Sequence, residues 1–247
     1  MPRSDNTTVL ITGHSHGLGA ALAAAWLQRG ARVIGLARRN NPALAASYPG
    51  QLHETAIDLA DPQAVCDYTR SDAFRQACQQ ADTLWLYNNA GTVAPSAPLG
   101  AQPDEQITHA LNLNITAPLL LANAVLAHAR DREQVRIVHI SSGAARKPYP
   151  GWSIYGASKA ALDRHAADAA AEGVRIVSLA PGVVDTAMQA GMRNNPAFPL
   201  REQVAALHAD GKLQSASDTA AKILAYCQSD AFAREPIADI RTLDTSP

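Results

Sequence analysis

The stretch Thr8–Gln28 constrains the chain most, because the apolar run Thr8–Ile11 passes directly into Thr12-Gly13-His14-Ser15-His16-Gly17-Leu18-Gly19 and then into an Ala- and Leu-rich helical segment, Leu18–Gln28. Glycines let a backbone turn sharply and come close to a ligand, and the helix that follows offers free amides and the positive end of its dipole. Such a strand, turn and helix form a cradle for a pyrophosphate, and Gly13, Ser15, His16, Gly17, Leu18 and Gly19 are its candidate contacts. His14, in the same turn, is expected to meet cofactor or solvent through position alone. The letters Gly13-His14-Ser15-His16-Gly17 also fit the nucleophile elbow of a serine hydrolase. No earlier strand precedes them to carry an oxyanion donor, which counts against that alternative.

Strand-like runs recur at Arg32–Leu36, Leu52–Ile57, Thr83–Tyr87, Val135–Ile140, Val174–Leu179 and, more weakly, Ile237–Ile240. Helical stretches lie between them at Pro62–Gln79, Asp104–Ala129, Ser153–Ala171 and Asp218–Gln228. This alternation predicts an α/β fold: a single-domain, Rossmann-type, doubly wound parallel sheet of about seven strands with helices on both faces. Residues 1–247 are read as one dinucleotide-binding and catalytic domain, with an irregular, Pro- and Asn-containing substrate lid around 185–212. With 21 basic and 22 acidic residues and no basic run, neither nucleic acid nor an acidic membrane is an expected partner. Cys66, Cys78 and Cys227 lack CxxC spacing, and the histidines lack ligand spacing, so no disulfide framework and no metal is expected. Met1–Thr8 lacks the segments of a signal peptide and no apolar run is read as approaching membrane-spanning length, so a cytoplasmic protein is expected. The apolar faces of Asp104–Ala129 and Ser153–Ala171 suit packing in a homodimer or homotetramer.

At the end of the second strand, an acidic side chain would bond the adenosine ribose, but this chain has Ala37-Arg38-Arg39. A guanidinium suits a 2′-phosphate, so NADP(H) is the expected cofactor and Arg38 its reader. Further on, Ser142 closes the fifth strand, and Tyr155 and Lys159 lie four apart on one helix face. Hydride addition to a carbonyl builds charge on oxygen and needs a proton there. Tyr155 can give it, Lys159 can lower the phenol's pKa, and Ser142 can hold the oxygen.

Taken together, Thr12–Gly19, Asn88-Asn89-Ala90-Gly91, Asn114, Ser142, Tyr155, Lys159 and Pro181-Gly182 resemble the short-chain dehydrogenase/reductase family in order and spacing. The resemblance implies that Asn89, Ala90 and Gly91 support the cofactor and that Asn114 helps hold a proton-relay water. It also places Asp58 and Leu59 beside the adenine and Val184 and Thr186 near the nicotinamide, with Pro181 and Gly182 among the cofactor-binding residues. Gly151–Ala161 and Pro181–Gln189 are similar to the sepiapterin reductase and bacterial benzil reductase branch, whose members reduce one carbonyl of a vicinal diketone. His16 departs from the Lys or Arg that many NADP-preferring members carry there. The expected activity is NADPH-dependent reduction of a small-molecule ketone or dicarbonyl. The alternative on the same fold is a cofactor-binding sensor without turnover.

Overall fold

The computed structural model describes residues 6–243, so Met1–Asp5 of the polar start and the last four residues lie outside it. Seven strands, β1 (Thr7–Thr12), β2 (Arg32–Ala37), β3 (Leu52–Ala56), β4 (Thr83–Asn88), β5 (Val135–Ile140), β6 (Ile176–Ala180) and β7 (Ile237–Asp239), form one sheet. All pairings are parallel, in the order β3-β2-β1-β4-β5-β6-β7. The chain winds outward from β1 to β3 and then returns to β1's other side at β4. This reversal opens a crevice beyond the carboxyl ends of β1 and β4, where open parallel sheets bind ligands.

Both faces of the sheet are covered, so the central strands read as continuous apolar runs. Along β1, Val9 and Ile11 pack on one side against α1 (Gly17–Leu27) and α10 (Ala216–Gln228), through Leu22, Trp26, Ile223 and Leu224. Leu10 points to the opposite side. There it meets a layer built from α3 (Pro62–Arg70), α4 (Asp72–Gln80), α6 (Ala117–His128) and α7 (Ser153–Ala171).

Several expected elements divide. The stretch read as one helix over Pro62–Gln79 breaks at Ser71, whose hydroxyl accepts from Phe74 N (3.2 Å) and so caps α4. A short helix, α2 (Pro42–Ser47), capped by Asn41, was absent from the sequence reading. The stretch Asp104–Ala129 is α5 (Asp104–Leu111) and α6 joined through a π-helical turn at Asn112–Thr116. Contrary to the sequence reading, the 25 residues Asp104–His128 are long and apolar enough to cross a membrane by length and composition. In this fold, however, Leu121, Ala122 and Val125 are buried in the core against the sheet. The segment 185–212 carries α8 (Ala187–Arg193) and α9 (Arg201–Ala209), which bury Met192, Phe198 and Val204 in a small cluster of their own.

One buried polar chain crosses the second layer. Asn88 Nδ2 donates to His139 Nδ1 (3.1 Å), and His139 Nε2 lies 3.0 Å from His165 Nδ1 on α7. Burial, then the neighbouring His165 and Lys159, lowers the His139 pKa from 6.5 to about 3, so the folded ring stays neutral. The unfolded chain takes up that proton near 6.5. Its contribution to stability is therefore complete above pH 6.5 and fades as pH falls toward about 3. Denaturant melts at pH 7.5 and 5 are expected to show this loss, at most about 1.4 kcal/mol per pH unit for one proton, and His139→Gln should flatten it. Parallel pH profiles for the two proteins would count against the assignment.

Candidate functional site

A cavity of about 620 Å³ occupies the crevice at the carboxyl ends of the strands. Its floor is the glycine turn. Gly13 (φ +70°) and Gly17 (φ +56°) adopt left-handed backbone, and a side chain at Gly19 would strike the Gly13 carbonyl and Asn89. Thr12 fixes this floor to the neighbouring segment, because its hydroxyl accepts from Asn89 N and Ala90 N (2.9 Å each), while Asn89 Nδ2 donates to Thr12 O (2.9 Å). Gly13, Ser15, His16, Gly17, Leu18, Gly19, Asn89, Ala90 and Gly91 all line the cavity.

His14 does not behave as its place in the turn suggested. It is fully buried, its Nε2 lies 2.7 Å from Glu54 Oε1, and its ring covers Gly35 so closely that no side chain fits at position 35. It meets neither cavity nor solvent and instead ties the turn to β3. The hydrolase alternative also finds no support. Ser15 Oγ is 3.1 Å from His16 Nδ1, but among the described residues no carboxylate pairs with His16 to orient it.

Arg38 and Arg39 follow β2 at the cavity rim, exposed, and among the described residues neither pairs with a carboxylate. Asp58 and Leu59 line the adjoining wall. Asp58 Oδ1 accepts from Ala60 N (2.9 Å), and the cap of α3 is Asp61, which accepts from Gln63 N (2.9 Å) and Ala64 N (3.3 Å). Pro181, Gly182, Val184 and Thr186 follow β6, and the Thr186 methyl lies close against Gly17.

Ser142, Tyr155 and Lys159 come together on one wall. Ser142 caps the tight turn Gly143–Ala145, its hydroxyl accepting from Ala144 N (3.1 Å). Lys159 Nζ donates to Ile140 O (2.7 Å) and stands 5.7 Å from the centre of the Tyr155 ring. Both α7 side chains are buried, at 8% and 4% exposure for Tyr155 and Lys159. Burial, opposed by the attraction of Asp163, brings the Lys159 pKa down to about 8. The Tyr155 phenol moves the other way from the sequence reading. Desolvation raises its pKa, and the group that opposes the rise is the Ser142 hydroxyl. The ammonium sits over the ring face, bonded to a carbonyl, which explains why desolvation prevails.

Asn114 lies in the π-helical turn with no exposure, and its side chain is fully engaged. Oδ1 accepts from Thr92 N (2.9 Å), and Nδ2 donates to Thr92 O (2.8 Å) and Ser158 Oγ (3.1 Å). It stands behind the cavity wall and ties α7 to the segment after Gly91.

At the far end of the cavity the sequence reading named the segment 185–212 but singled out none of the lining residues. Tyr149, Trp152, Met188, Met192, Phe198 and Leu207 line that end. Trp152 stacks on Phe198 (centroids 5.1 Å, planes at 19°) and meets Tyr155 edge-on at 5.2 Å. Gly151 (φ +83°) lets the chain turn here, and Trp152 Nε1 is held by Ser96 Oγ (3.1 Å). Trp152 directly precedes α7, which was a signal of its nearness to Tyr155. Phe198 comes from the segment 185–212 and gave none.

A family model described as short chain dehydrogenase matches residues 7–197. Among curated proteins, the chain is 33% identical over 236 residues to a benzil reductase ((S)-benzoin forming) of Bacillus cereus, covering 91% of this chain and 95% of that one. It is 32% identical to a sepiapterin reductase of Meriones unguiculatus, with 90% and 92% covered. A crystal structure of a short-chain dehydrogenase/reductase from Burkholderia vietnamiensis superposes with a TM-score of 0.70 at 38% identity, covering 96% of this chain and 100% of that one.

Proposed function

Because the chain belongs to the short-chain dehydrogenase family of oxidoreductases, we propose that it is an NADP(H)-dependent carbonyl reductase acting on ketones or vicinal dicarbonyl compounds that carry apolar, aromatic groups. The observation that carries this reading is the convergence of Ser142, Tyr155 and Lys159 on one wall of a cavity whose floor is the Gly13–Gly19 turn.

The family binds nicotinamide dinucleotides, and the residues present fit one. Gly19 leaves no room for a side chain and Gly13 takes a left-handed backbone that favours glycine, so backbone amides can approach a pyrophosphate, as the free end of α1 favours. Arg38 and Arg39 at the rim suit a 2′-phosphate, with Ala37 where an acid would prefer a bare ribose. Bound there, the dinucleotide would supply the hydride. Tyr155, kept protonated by burial, gives its phenolic proton to the carbonyl oxygen, which the Ser142 hydroxyl holds in place. Lys159 then faces the negative charge that Tyr155 has acquired, and Asn114 steadies α7 behind them. Aryl groups on the substrate find Trp152 and Phe198, and the names of the Bacillus cereus and Meriones unguiculatus relatives accord with this chemistry.

The reading is tested by following cofactor absorbance with a panel of diketones, quinones and pterins, each with NADPH and NADH. Aryl diketones are expected to turn over, with NADPH preferred about tenfold or more in kcat/KM, the worth of one charge-assisted contact. Arg38→Asp should reverse that preference. Failure of every carbonyl compound to consume either cofactor would remove the reductase reading.

A further inference from the structure

Asp163 follows Lys159 by one helical turn, as Lys159 follows Tyr155, so the three share the face of α7 that meets the sheet. It too is buried, at 6% exposure. Its Oδ1 accepts from Ser141 Oγ and Ser178 Oγ (2.7 Å each), and its Oδ2 accepts from Arg146 Nε (2.9 Å). Ser141 immediately precedes Ser142, and Arg146 immediately follows the turn Gly143–Ala145 that Ser142 caps. Arg146 Nη2 also reaches the Ala238 carbonyl on β7 (3.3 Å). One carboxylate therefore grips the Ser142 turn on both sides and anchors it to β6 and α7.

We propose that Asp163 is a positioning residue for the reaction, fixing the Ser142 hydroxyl through Ser141 and Arg146 and placing a negative charge one helical turn from the Lys159 ammonium. This rests on the reductase reading above. Among the described residues Asp163 stands alone in that second role. Lys159 faces Tyr155 and Asp163 from its own helix and the neutral His139 and the Ile140 carbonyl from β5, and it shares the space beside Gly91 with the Asn114 amide of the π-helical turn. Asp163 is the acidic group that draws the lysine's pKa upward against burial. Beyond Arg146 lies Asp239, whose carboxylate is already engaged by Arg241 (2.6 Å).

The chain has four lysines, Lys147, Lys159, Lys212 and Lys222, and the last two and the first are exposed, so Lys159 is separable in the spectrum of protein labelled with ¹³C at lysine Cε. Its titration midpoint in the unaltered protein is expected near 8. Asp163→Asn should lower that midpoint by about 1 pH unit. The alkaline limb of the kcat profile should move with it while KM changes little, and a slackened Ser142 turn should cost a further roughly tenfold to hundredfold in kcat at neutral pH. Arg146→Gln strips the carboxylate of its guanidinium but leaves its charge, so it should hold or raise the midpoint, and this variant decides the matter even if Asp163→Asn does not fold. An unmoved midpoint in Asp163→Asn, or a lowered midpoint in Arg146→Gln, would overturn the proposal. The two readings separate cleanly: a lowered midpoint without turnover of any carbonyl compound removes the reductase reading and upholds the charge assignment, whereas turnover with an unmoved midpoint does the reverse.

Discussion

Tyr155→Phe is expected to reduce kcat for carbonyl reduction by about 10²- to 10⁴-fold, the usual worth of a positioned general acid, while cofactor affinity and melting temperature stay close to those of the parent. The ring contributes the packing, lying edge-on to Trp152 at 5.2 Å, and phenylalanine retains it. Only the hydroxyl is lost. That hydroxyl is buried, and desolvation raises its pKa against the opposing pull of Ser142, so it remains a proton donor throughout the neutral range. The alkaline fall in activity should therefore come from Lys159, whose charge is lost as pH rises through about 8. Stopped-flow cofactor oxidation gives kcat, and quenching of tryptophan fluorescence gives the affinity. Undiminished turnover in a folded, cofactor-binding variant would take Tyr155 out of the mechanism.

Much of this fold was legible because its determinants are local. A strand buried on both faces reads as an apolar run, and β1, β2, β4 and β5 all do so. The Tyr155 and Lys159 pair was legible for the same reason, since four residues on a helix are one face whatever surrounds them. What escaped depends on partners remote in sequence. His14 looks like part of a phosphate turn, yet its environment is set by Glu54, 40 residues on, and by the missing side chain of Gly35. Asp163 stood in plain view at the same spacing beyond Lys159, but its meaning needs Ser141, Ser178 and Arg146 to converge on it from three other places. The direction of the Tyr155 shift was misread because spacing reveals a neighbouring ammonium and conceals how dry the site is. The break at Ser71 carries a local signal that went unused, a serine whose hydroxyl caps α4, whereas nothing in the residue pattern marks the π-helical turn at Asn112–Thr116.

Gly19→Ala is expected to weaken dinucleotide binding by at least about 100-fold, roughly 2.7 kcal/mol, although helix propensity alone points the other way. Gly19 sits in the first turn of α1, where alanine is favoured by about 1 kcal/mol over glycine. The added methyl, however, would run into the carbonyl of Gly13 and the amide of Asn89, and the first of these is backbone with no rotamer in which to retreat. Either α1 lifts from the turn or the turn opens, and in both cases the amides that would face a pyrophosphate lose their convergence. Crowding of this kind costs about 1–3 kcal/mol of stability, so the melting temperature should fall as well. Gly191→Ala supplies the contrast, because that glycine lies in α8 with nothing within 4 Å of the position its methyl would take. It should leave cofactor affinity unchanged and hold or slightly raise stability, following propensity alone. If titration of both variants with NADPH and with NADP showed equal affinities, the cradle would not be where the dinucleotide binds.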